Sequence, residues 1–158
     1  MSEGSSASRD SRSEENGPGQ NLPEGDAHAW YRRGMELLGR GSAAAAAQVL
    51  ERAAEAEPTS RSVREALARA QFDAGQYALA AANFRIIVDA SPTDDYAHFG
   101  LGLALARTGN PAAAAEYLAL AAAMRPDATH YTDALRQVRA TLRARRKAAG
   151  PGPAEATE

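Results

Sequence analysis

The sequence predicts an all-α protein, an α-solenoid of three helix-turn-helix hairpins with a C-terminal cap helix. Alanine supplies about a quarter of the 158 residues, and β-branched residues are few, which favours helices over sheets. Glycine and proline recur along the middle of the chain at one fixed spacing. Aromatic residues make up only 6% of the chain, so we expect helices packed closely through small side chains.

The two ends of the chain differ from its middle in composition. Residues 1–25 are mainly Ser, Gly, Glu, Asp, Arg and Asn, and Leu22 is the only large apolar side chain after the first methionine. Such a segment cannot bury enough apolar surface to offset its ordering entropy, so we predict a disordered N-terminal tail. The Gly-Pro-Gly-Pro sequence near the C-terminus breaks a helix, and we predict a second disordered tail over 150–158. The solenoid is expected over 26–149.

The middle of the chain repeats with a period of 34 residues. Glycine, proline and three columns of small or apolar residues each occur three times at this spacing, which indicates a repeat architecture. The columns are Gly41, Gly75 and Gly109; Pro58, Pro92 and Pro126; Ala46, Ala80 and Ala114; Leu50, Phe84 and Leu118; and Ala53, Ile87 and Ala121.

Each repeat has the order helix, glycine turn, helix and proline. Apolar residues at spacings of three and four mark the helices, and the glycine suits the end of the first one. Thr93 followed by two aspartates, and Asn110 followed by Pro111, are suited to begin helices, and Asp127 is expected to open the last one. We predict helices at 26–39, 43–56, 60–74, 77–90, 94–108, 111–124 and 128–148.

These residues resemble the tetratricopeptide repeat, whose unit asks for Trp, Leu, Gly and Tyr in its first helix and Ala, Phe, Ala and Pro in its second. Arg33, Arg64 and Gln71 depart from this pattern. The matches are Trp30, Gly34, Ala46, Leu50, Ala53 and Pro58 in the unit 27–60; Leu67, Ala68, Gly75, Tyr77, Ala80, Phe84 and Pro92 in 61–94; and Leu101, Gly102, Leu105, Gly109, Ala114, Leu118, Ala121 and Pro126 in 95–128.

The stretch 128–148 is expected to cap the stack. A hairpin of a solenoid buries its sides only against neighbours, so the last one needs a cover. Tyr131, Leu135, Val138 and Leu142 form an apolar stripe at helical spacing that can supply it. The charges around this stripe are Arg136, Arg139, Arg143, Arg145, Arg146 and Lys147.

The residues that catalysis or metal binding would require are not grouped in the sequence. His28, His98 and His130 are too far apart to form a local ligand motif, and the nucleophile-elbow pattern does not occur. The Gly100-Leu-Gly102 sequence lies within a predicted helix, which excludes a phosphate loop. The chain has 0 cysteines, so it has no disulfide and no thiol nucleophile. We predict a protein that is not an enzyme, with no catalytic residue, metal or cofactor.

The composition also bears on location. No run approaches the roughly 18 apolar residues of a membrane span, and residues 1–20 lack the apolar stretch of a signal peptide. The chain has 17 Arg and 1 Lys with much Ala, Gly and Pro, which is typical of GC-rich coding. We expect a bacterial, cytoplasmic protein that does not bind a membrane.

The resemblance implies a function on the concave face of the solenoid, which the first helices of the hairpins line. Residues one position past the packing columns should share that face, and most of them are large and apolar. Such a face suits a helical or extended peptide. We predict a protein-interaction scaffold or adaptor that binds a partner segment there. The predicted groove residues are Tyr31, Met35, Leu38, Glu65, Arg69, Phe72, Tyr96, Phe99 and Leu103.

We do not expect this chain to bind the acidic C-terminus of a heat-shock chaperone, a partner of some members of the family it resembles. Family members that clamp the acidic C-terminus of heat-shock chaperones use Lys, Asn and Arg at set positions of their first helices. None of the matching residues here is of these types, so we do not expect such a partner. These residues are Tyr31, Met35, Ala66, Tyr96 and Gly100.

Two other functions stay open. The groove or an exposed end could be buried in a homodimer, which would make the chain a self-associating structural module. The six cations from Arg136 to Lys147 could instead contact an anionic partner, as an electrostatic binder or in a chaperone-like role. Aromatic residues for base stacking are missing there, so nucleic acid is not expected. A solvated cap helix explains the same charges, and some groove residues could tuck between helices.

Overall fold

The computed structural model describes residues 26–152, and within them the chain forms seven α-helices and no strand. The all-α prediction is confirmed. Each helix end lies within one residue of its predicted position, because the predictions counted capping residues as helical. The predicted tail over 1–25 and residues 153–158 of the second tail lie outside the described residues. The helices are α1 (Ala27–Gly39), α2 (Ala43–Ala56), α3 (Arg61–Asp73), α4 (Tyr77–Ala90), α5 (Asp95–Arg107), α6 (Pro111–Met124) and α7 (Thr129–Ala148).

The helices begin and end through local interactions that recur along the chain. Ser60, Asp94 and Asn110 are N-caps, and their side-chain oxygens accept hydrogen bonds from backbone N–H groups three residues later, at 3.0 to 3.3 Å. The turn inside each hairpin places a glycine in the left-handed region, which a Cβ atom disfavours. These φ angles are +77° at Gly41, +80° at Gly75 and +86° at Gly109.

The last helix begins differently from the prediction. Ala128 is its N-cap and provides no side-chain hydrogen bond, so the expectation that Asp127 opens the helix is wrong. Asp127 instead accepts a hydrogen bond from Arg125 Nε at 3.4 Å, just before the helix. That hydrogen bond from the guanidinium lowers the pKa of the Asp127 carboxyl.

The helices form two layers. Helices α1, α3, α5 and α7 contact one another in succession, whereas α2, α4 and α6 contact only the helices next to them in the chain. The first helices of successive hairpins are therefore closer together than the second helices. This difference in spacing curves the stack so that the first helices line its concave side.

The predicted columns form the core. Ala46, Ala80 and Ala114 are fully buried, and the other two predicted core columns are at most 2% exposed. Glycine lets the two helices of a hairpin approach closely, because a Cβ on Gly34 would overlap the Leu50 side chain. Gly102 has the same role against Leu118 of α6.

Successive hairpins contact each other through one face of each first helix. In α3, α5 and α7 this face is buried and made of apolar residues and glycine. Its columns, spaced by 34 residues, are Val63, Ala97 and Tyr131; Ala66, Gly100 and Ala134; Leu67, Leu101 and Leu135; and Ala70, Ala104 and Val138. In α1 the equivalent residues are Ala29, Arg32, Arg33 and Glu36, and the last three are exposed. The departure at Arg33 therefore gives the N-terminal end of the described stack a charged surface.

Helix α7 packs on the stack through its buried face and carries charged residues on the opposite face. Arg136 stands where Gly34 and Gly102 contact the second helix of their own hairpin. Its guanidinium is exposed and lies 2.8 Å from the Asp133 carboxylate. Because a long charged side chain occupies the close-contact position, a further helix could not pack there as α2 and α6 pack on their partners. This arrangement confirms the cap helix.

A chain of hydrogen bonds joins Arg64 and Gln71, the two residues of the second repeat that depart from the repeat pattern. Arg64 Nη1 donates to Asn83 Oδ1 at 2.9 Å, and Asn83 Nδ2 donates to Gln71 Oε1 at 2.7 Å. Arg64 Nη2 also donates to the Pro58 carbonyl at 2.9 Å. Gln71 is only 5% exposed, so these bonds satisfy polar groups that would be costly to bury alone.

This chain of hydrogen bonds makes the second repeat sensitive to loss of Asn83. We expect Asn83→Val to lower the free energy of unfolding by about 1–3 kcal/mol, because Gln71 is left buried without a partner. The double variant Asn83→Val/Gln71→Leu should recover most of this loss, since Leu37 and Leu105 hold the Gln71 position in the other repeats. Urea denaturation followed by circular dichroism measures both. A double variant less stable than the single one would contradict the role of Asn83 as the partner of buried Gln71.

Candidate functional site

The concave side holds nearly all of the predicted groove residues. Eight of the nine line two adjoining cavities, which share Arg69. The ninth, Leu38, packs against the core of the first hairpin. The two cavities adjoin at Arg69 and together extend from α1 to α5, and we call them the groove.

The first cavity lies between α1 and α3 and has a volume of about 200 Å³. Tyr31 and Met35 form its α1 wall, and Arg61, Glu65 and Arg69 lie on α3. Met35 is 37% exposed, so the thioether is open to solvent at the rim. This end of the groove therefore combines apolar surface with both signs of charge.

The second cavity lies between α3 and α5 and has a volume of about 170 Å³. Phe72, Tyr96 and Leu103 line it, and the ring of Phe84 reaches it from α4. That ring fits only because residue 100 is glycine, since a Cβ there would lie 2.5 Å from Phe84 Cζ. Sequence reasoning treated Phe84 as a core residue alone and assigned no packing role to Gly100.

The aromatic groove residues are held by their neighbours. Phe99 stacks on Tyr131 of α7 with ring centroids 4.6 Å apart and meets His130 edge-on at 5.3 Å. Phe72 meets Tyr77 edge-on at 5.1 Å. The Phe72 and Phe99 rings are half-buried, and their neighbours hold them in place as walls of the groove. Some groove residues therefore also pack between helices, which is the alternative named above.

Tyr96 falls outside the three columns of the repeat that the other eight predicted residues occupy. It lies about one helical turn nearer the start of α5 than Phe99, in a column with His28 and Ser62. The residue of α5 equivalent to Leu38 and Phe72 is Ala106. Tyr96 nevertheless lines the second cavity.

Glu65 is a half-buried carboxylate in the first cavity. Within residues 26–152 it takes part in no ion pair and accepts no side-chain hydrogen bond. Burial is the main cause that raises its pKa, and the neighbouring Asp94 adds to it. Arg61 and Arg69 act in the opposite direction. A charge kept at a cost in stability is typical of functional sites.

A hydrogen bond closes the C-terminal end of the groove. Tyr131 Oη donates to Asp95 Oδ2 at 2.7 Å, which ties α7 to the first turn of α5. Burial, and then this hydrogen bond, raise the pKa of the Tyr131 hydroxyl. Arg125 lies 3.8 Å from the same carboxylate. Phe99 is thereby covered on the side facing α7.

The predicted cationic patch lies on the exposed side of α7. Arg136 is paired with Asp133, whereas Arg139 and the cations from Arg143 to Lys147 have no ion pair in the described part of the chain. The apolar stripe ends at Leu142, so the last turns carry only alanine and positive charge.

The outer helices carry exposed apolar side chains that sequence reasoning missed. Ile86 of α4 and Leu120 of α6 are 47% and 50% exposed. They are 34 residues apart and thus occupy one repeat position, which is a signal that the sequence contained. Ile86 also lines a cavity of about 340 Å³ beside Pro58 and Arg64.

The described residues offer no metal site. Over 26–152 no three His, Asp or Glu side chains lie close enough together to hold an ion. His98 is buried and its Nδ1 lies 2.8 Å from the Asp94 carbonyl oxygen, whereas His130 is exposed beside Phe99. None of the helices described is long and apolar enough to cross a membrane.

These features define a class of protein, the helical-repeat solenoids. Two family models, each described as tetratricopeptide repeat, match residues 27–70 and 65–129. The chain belongs to the tetratricopeptide repeat family, a family of non-enzymatic protein-interaction scaffolds. No curated protein matches it in sequence.

Solved structures of other repeat proteins share the fold. MamA from Desulfovibrio magneticus RS-1, residues 41 to the end, superposes with a TM-score of 0.72 and 22% identity, covering 78% of this chain and 70% of that chain. The first TPR domain of human RPAP3 gives 0.70 and 17% identity over 77% and 95%. The first TPR of Spaghetti (RPAP3), bound to the HSP90 peptide SRMEEVD, gives 0.69 and 18% identity over 78% and 98%.

The raised pKa of Glu65 has a consequence for stability. The folded protein disfavours the Glu65 carboxylate relative to the unfolded chain, so the side chain costs stability at pH 7 and the cost vanishes as pH falls through the raised pKa. Glu65→Gln should therefore keep or raise the melting temperature at pH 7, and its advantage should shrink as the pH is lowered.

Thermal denaturation at several pH values measures this effect. Glu51→Gln, on the exposed face of α2, is the matched control and should give no such pH-dependent advantage. A lower melting temperature for Glu65→Gln than for the wild type at pH 7 would contradict the assignment.

Proposed function

We propose that this protein is a non-enzymatic adaptor that holds a peptide or helical segment of a partner protein in its concave groove. The observation that carries the proposal is the pair of adjoining cavities on the concave side, a polar one beside Glu65 and an aromatic one beside Phe72. Because packing already holds the walls in place, a partner side chain can enter at a small cost in ordering. Grooves with apolar anchors between helices suit amphipathic segments.

The comparisons support a protein partner without naming it. The Spaghetti (RPAP3) domain of similar fold has an HSP90 peptide bound. Here Tyr31, Met35 and Tyr96 stand among the positions where an acidic chaperone tail would need Lys, Asn or Arg. We therefore propose a partner other than such a tail. The proposal involves no cofactor, metal or catalytic step, and the composition supports a bacterial, cytoplasmic setting.

The groove assignment predicts that exposed groove residues control partner capture. Met35→Arg should reduce recovery of the partner by about tenfold or more, because it replaces an apolar side chain at the rim of the first cavity with a long charged one. Met35 is exposed, so the fold should be kept. Affinity purification of the tagged chain from its native cell, with quantitative mass spectrometry, measures recovery.

The control for this experiment lies on the outer layer. Leu120→Arg also adds a positive charge at an exposed position, but on α6 and away from the groove. It should recover the same partner as the wild type. Loss of the partner with Leu120→Arg and its retention with Met35→Arg would overturn the groove assignment.

The cationic patch supports a second candidate function, capture of an acidic protein partner. Its motivating observation is that Arg143, Arg145, Arg146 and Lys147 are exposed with no counter-ion in the described residues. Binding of this kind weakens with salt. Wild type should elute from a heparin column at higher salt than Arg143→Gln/Arg145→Gln/Arg146→Gln, and equal elution would leave the patch as a solvated cap.

Self-association by end-to-end stacking is disfavoured at both ends. Arg32, Arg33 and Glu36 occupy the repeat-contact face of α1, and Arg136 and Arg139 occupy the open face of α7. Burying these charges against a second copy would be costly. Sedimentation velocity should show a monomer across micromolar concentrations. A concentration-dependent dimer would require the groove or the outer apolar residues as its interface.

A further inference from the structure

The chemistry of the groove selects one kind of occupant, an inference that rests on the proposed function. We infer that the partner contributes a cationic amphipathic segment. One bulky apolar side chain of that segment enters the aromatic cavity between α3 and α5. A Lys or Arg side chain of the same segment lies against Glu65, in the cavity between α1 and α3.

The aromatic cavity has the size and lining for one apolar side chain. Its volume is about 170 Å³, and Phe72, Tyr96, Phe99 and Leu103 form its walls above the Phe84 ring. An apolar cavity of about 150 Å³ accommodates a molecule of the size of benzene. Most of its lining is apolar, which suits an aliphatic or aromatic occupant. The cavity thus accepts a Leu, Ile, Met or Phe side chain.

The charge balance of the groove and its C-terminal edge favours a cation in the partner. Five carboxylates lie there with four guanidinium groups, and ion pairs occupy two of the four. Arg61 pairs with Asp94 at 3.4 Å, and Arg125 lies within 4 Å of two carboxylates. The carboxylates are Glu65, Asp73, Asp94, Asp95 and Asp127, and the cations are Arg61, Arg69, Arg125 and Arg107, which lies 5.8 Å from the centre of the Phe72 ring.

Glu65 is the carboxylate to which a partner cation would be attracted most strongly. It is half-buried, lines the first cavity and has no ion pair among the described residues. A partner cation there would be attracted more strongly than at a fully hydrated surface. Arg69 does not reverse this preference, because it lies one turn from both Glu65 and Asp73 on α3.

The two contact points also set a spacing for the partner. Glu65 and Phe72 are seven residues apart on α3, which corresponds to about 10 Å along the helix axis. An extended segment covers this distance in about three residues, and a helical one in about seven. The cation and the apolar anchor should therefore be separated by one of these two intervals.

The test is selection of binding sequences by the whole chain from a random dodecapeptide display library. We expect enriched peptides to combine Lys or Arg with Leu, Ile, Met or Phe at one of the two spacings. Fluorescence polarisation with the most enriched peptide then measures affinity. Glu65→Gln should weaken binding by about fivefold to tenfold, and Glu51→Gln, which removes a carboxylate from α2, should not weaken it.

The outcomes separate this inference from the proposed function. Peptides that bind the wild type but lose affinity with Phe72→Ala or Leu103→Ala, and that are acidic or uncharged, overturn the cationic occupant and leave the groove in place. Peptides unaffected by both cavity variants overturn the groove function itself, and failure to enrich any sequence overturns the inference. Circular dichroism checks that both variants fold. The acidic peptide SRMEEVD is the comparator, and tight binding of it would also overturn the inference.

Discussion

The close approach of the two helices within each hairpin is the constraint on which the rest of the structure depends. Gly34, Ala68 and Gly102 leave room for a large side chain of the second helix, as Leu50 and Leu118 show. The first helices of successive repeats also contact one another. The abundance of alanine follows from the same requirement, because small residues occupy the remaining contact columns.

The concave groove is a consequence of that spacing. First helices that touch across repeats bring α3 and α5 close enough for aromatic side chains of both to line one cavity. Gly100 extends this arrangement, since its missing Cβ admits the Phe84 ring from the outer layer. The same interface that holds the second and third repeats together thereby forms the floor of the binding surface.

Much of the fold could be predicted from the sequence because the repeat period specifies it several times over. Gly41, Gly75 and Gly109 each mark one turn, and the left-handed φ at all three agrees with that interpretation. The start of α7 was the exception, because Asp127 has the residue type of a cap but pairs with Arg125. Residue type alone does not tell which of two nearby partners a carboxylate takes.

The groove could be predicted only in outline. The face was recognisable from helical spacing, but the cavity depends on which rings cover one another, and Phe99 is partly covered by Tyr131 of the cap helix. The roles of Phe84 and Gly100 involve contact between layers, which a column of similar residues does not reveal. Likewise, the hydrogen bonds of Gln71 become visible only once Asn83 is placed opposite it.

Hydrogen exchange of the whole chain, with and without a saturating partner segment obtained by display, tests most directly whether the concave groove is the binding surface. We expect added protection to be concentrated in peptides from α1, α3 and α5. We expect little change in the outer faces of α2, α4 and α6. Protection confined to those outer helices, or to the cationic end of α7, would contradict binding in the concave groove.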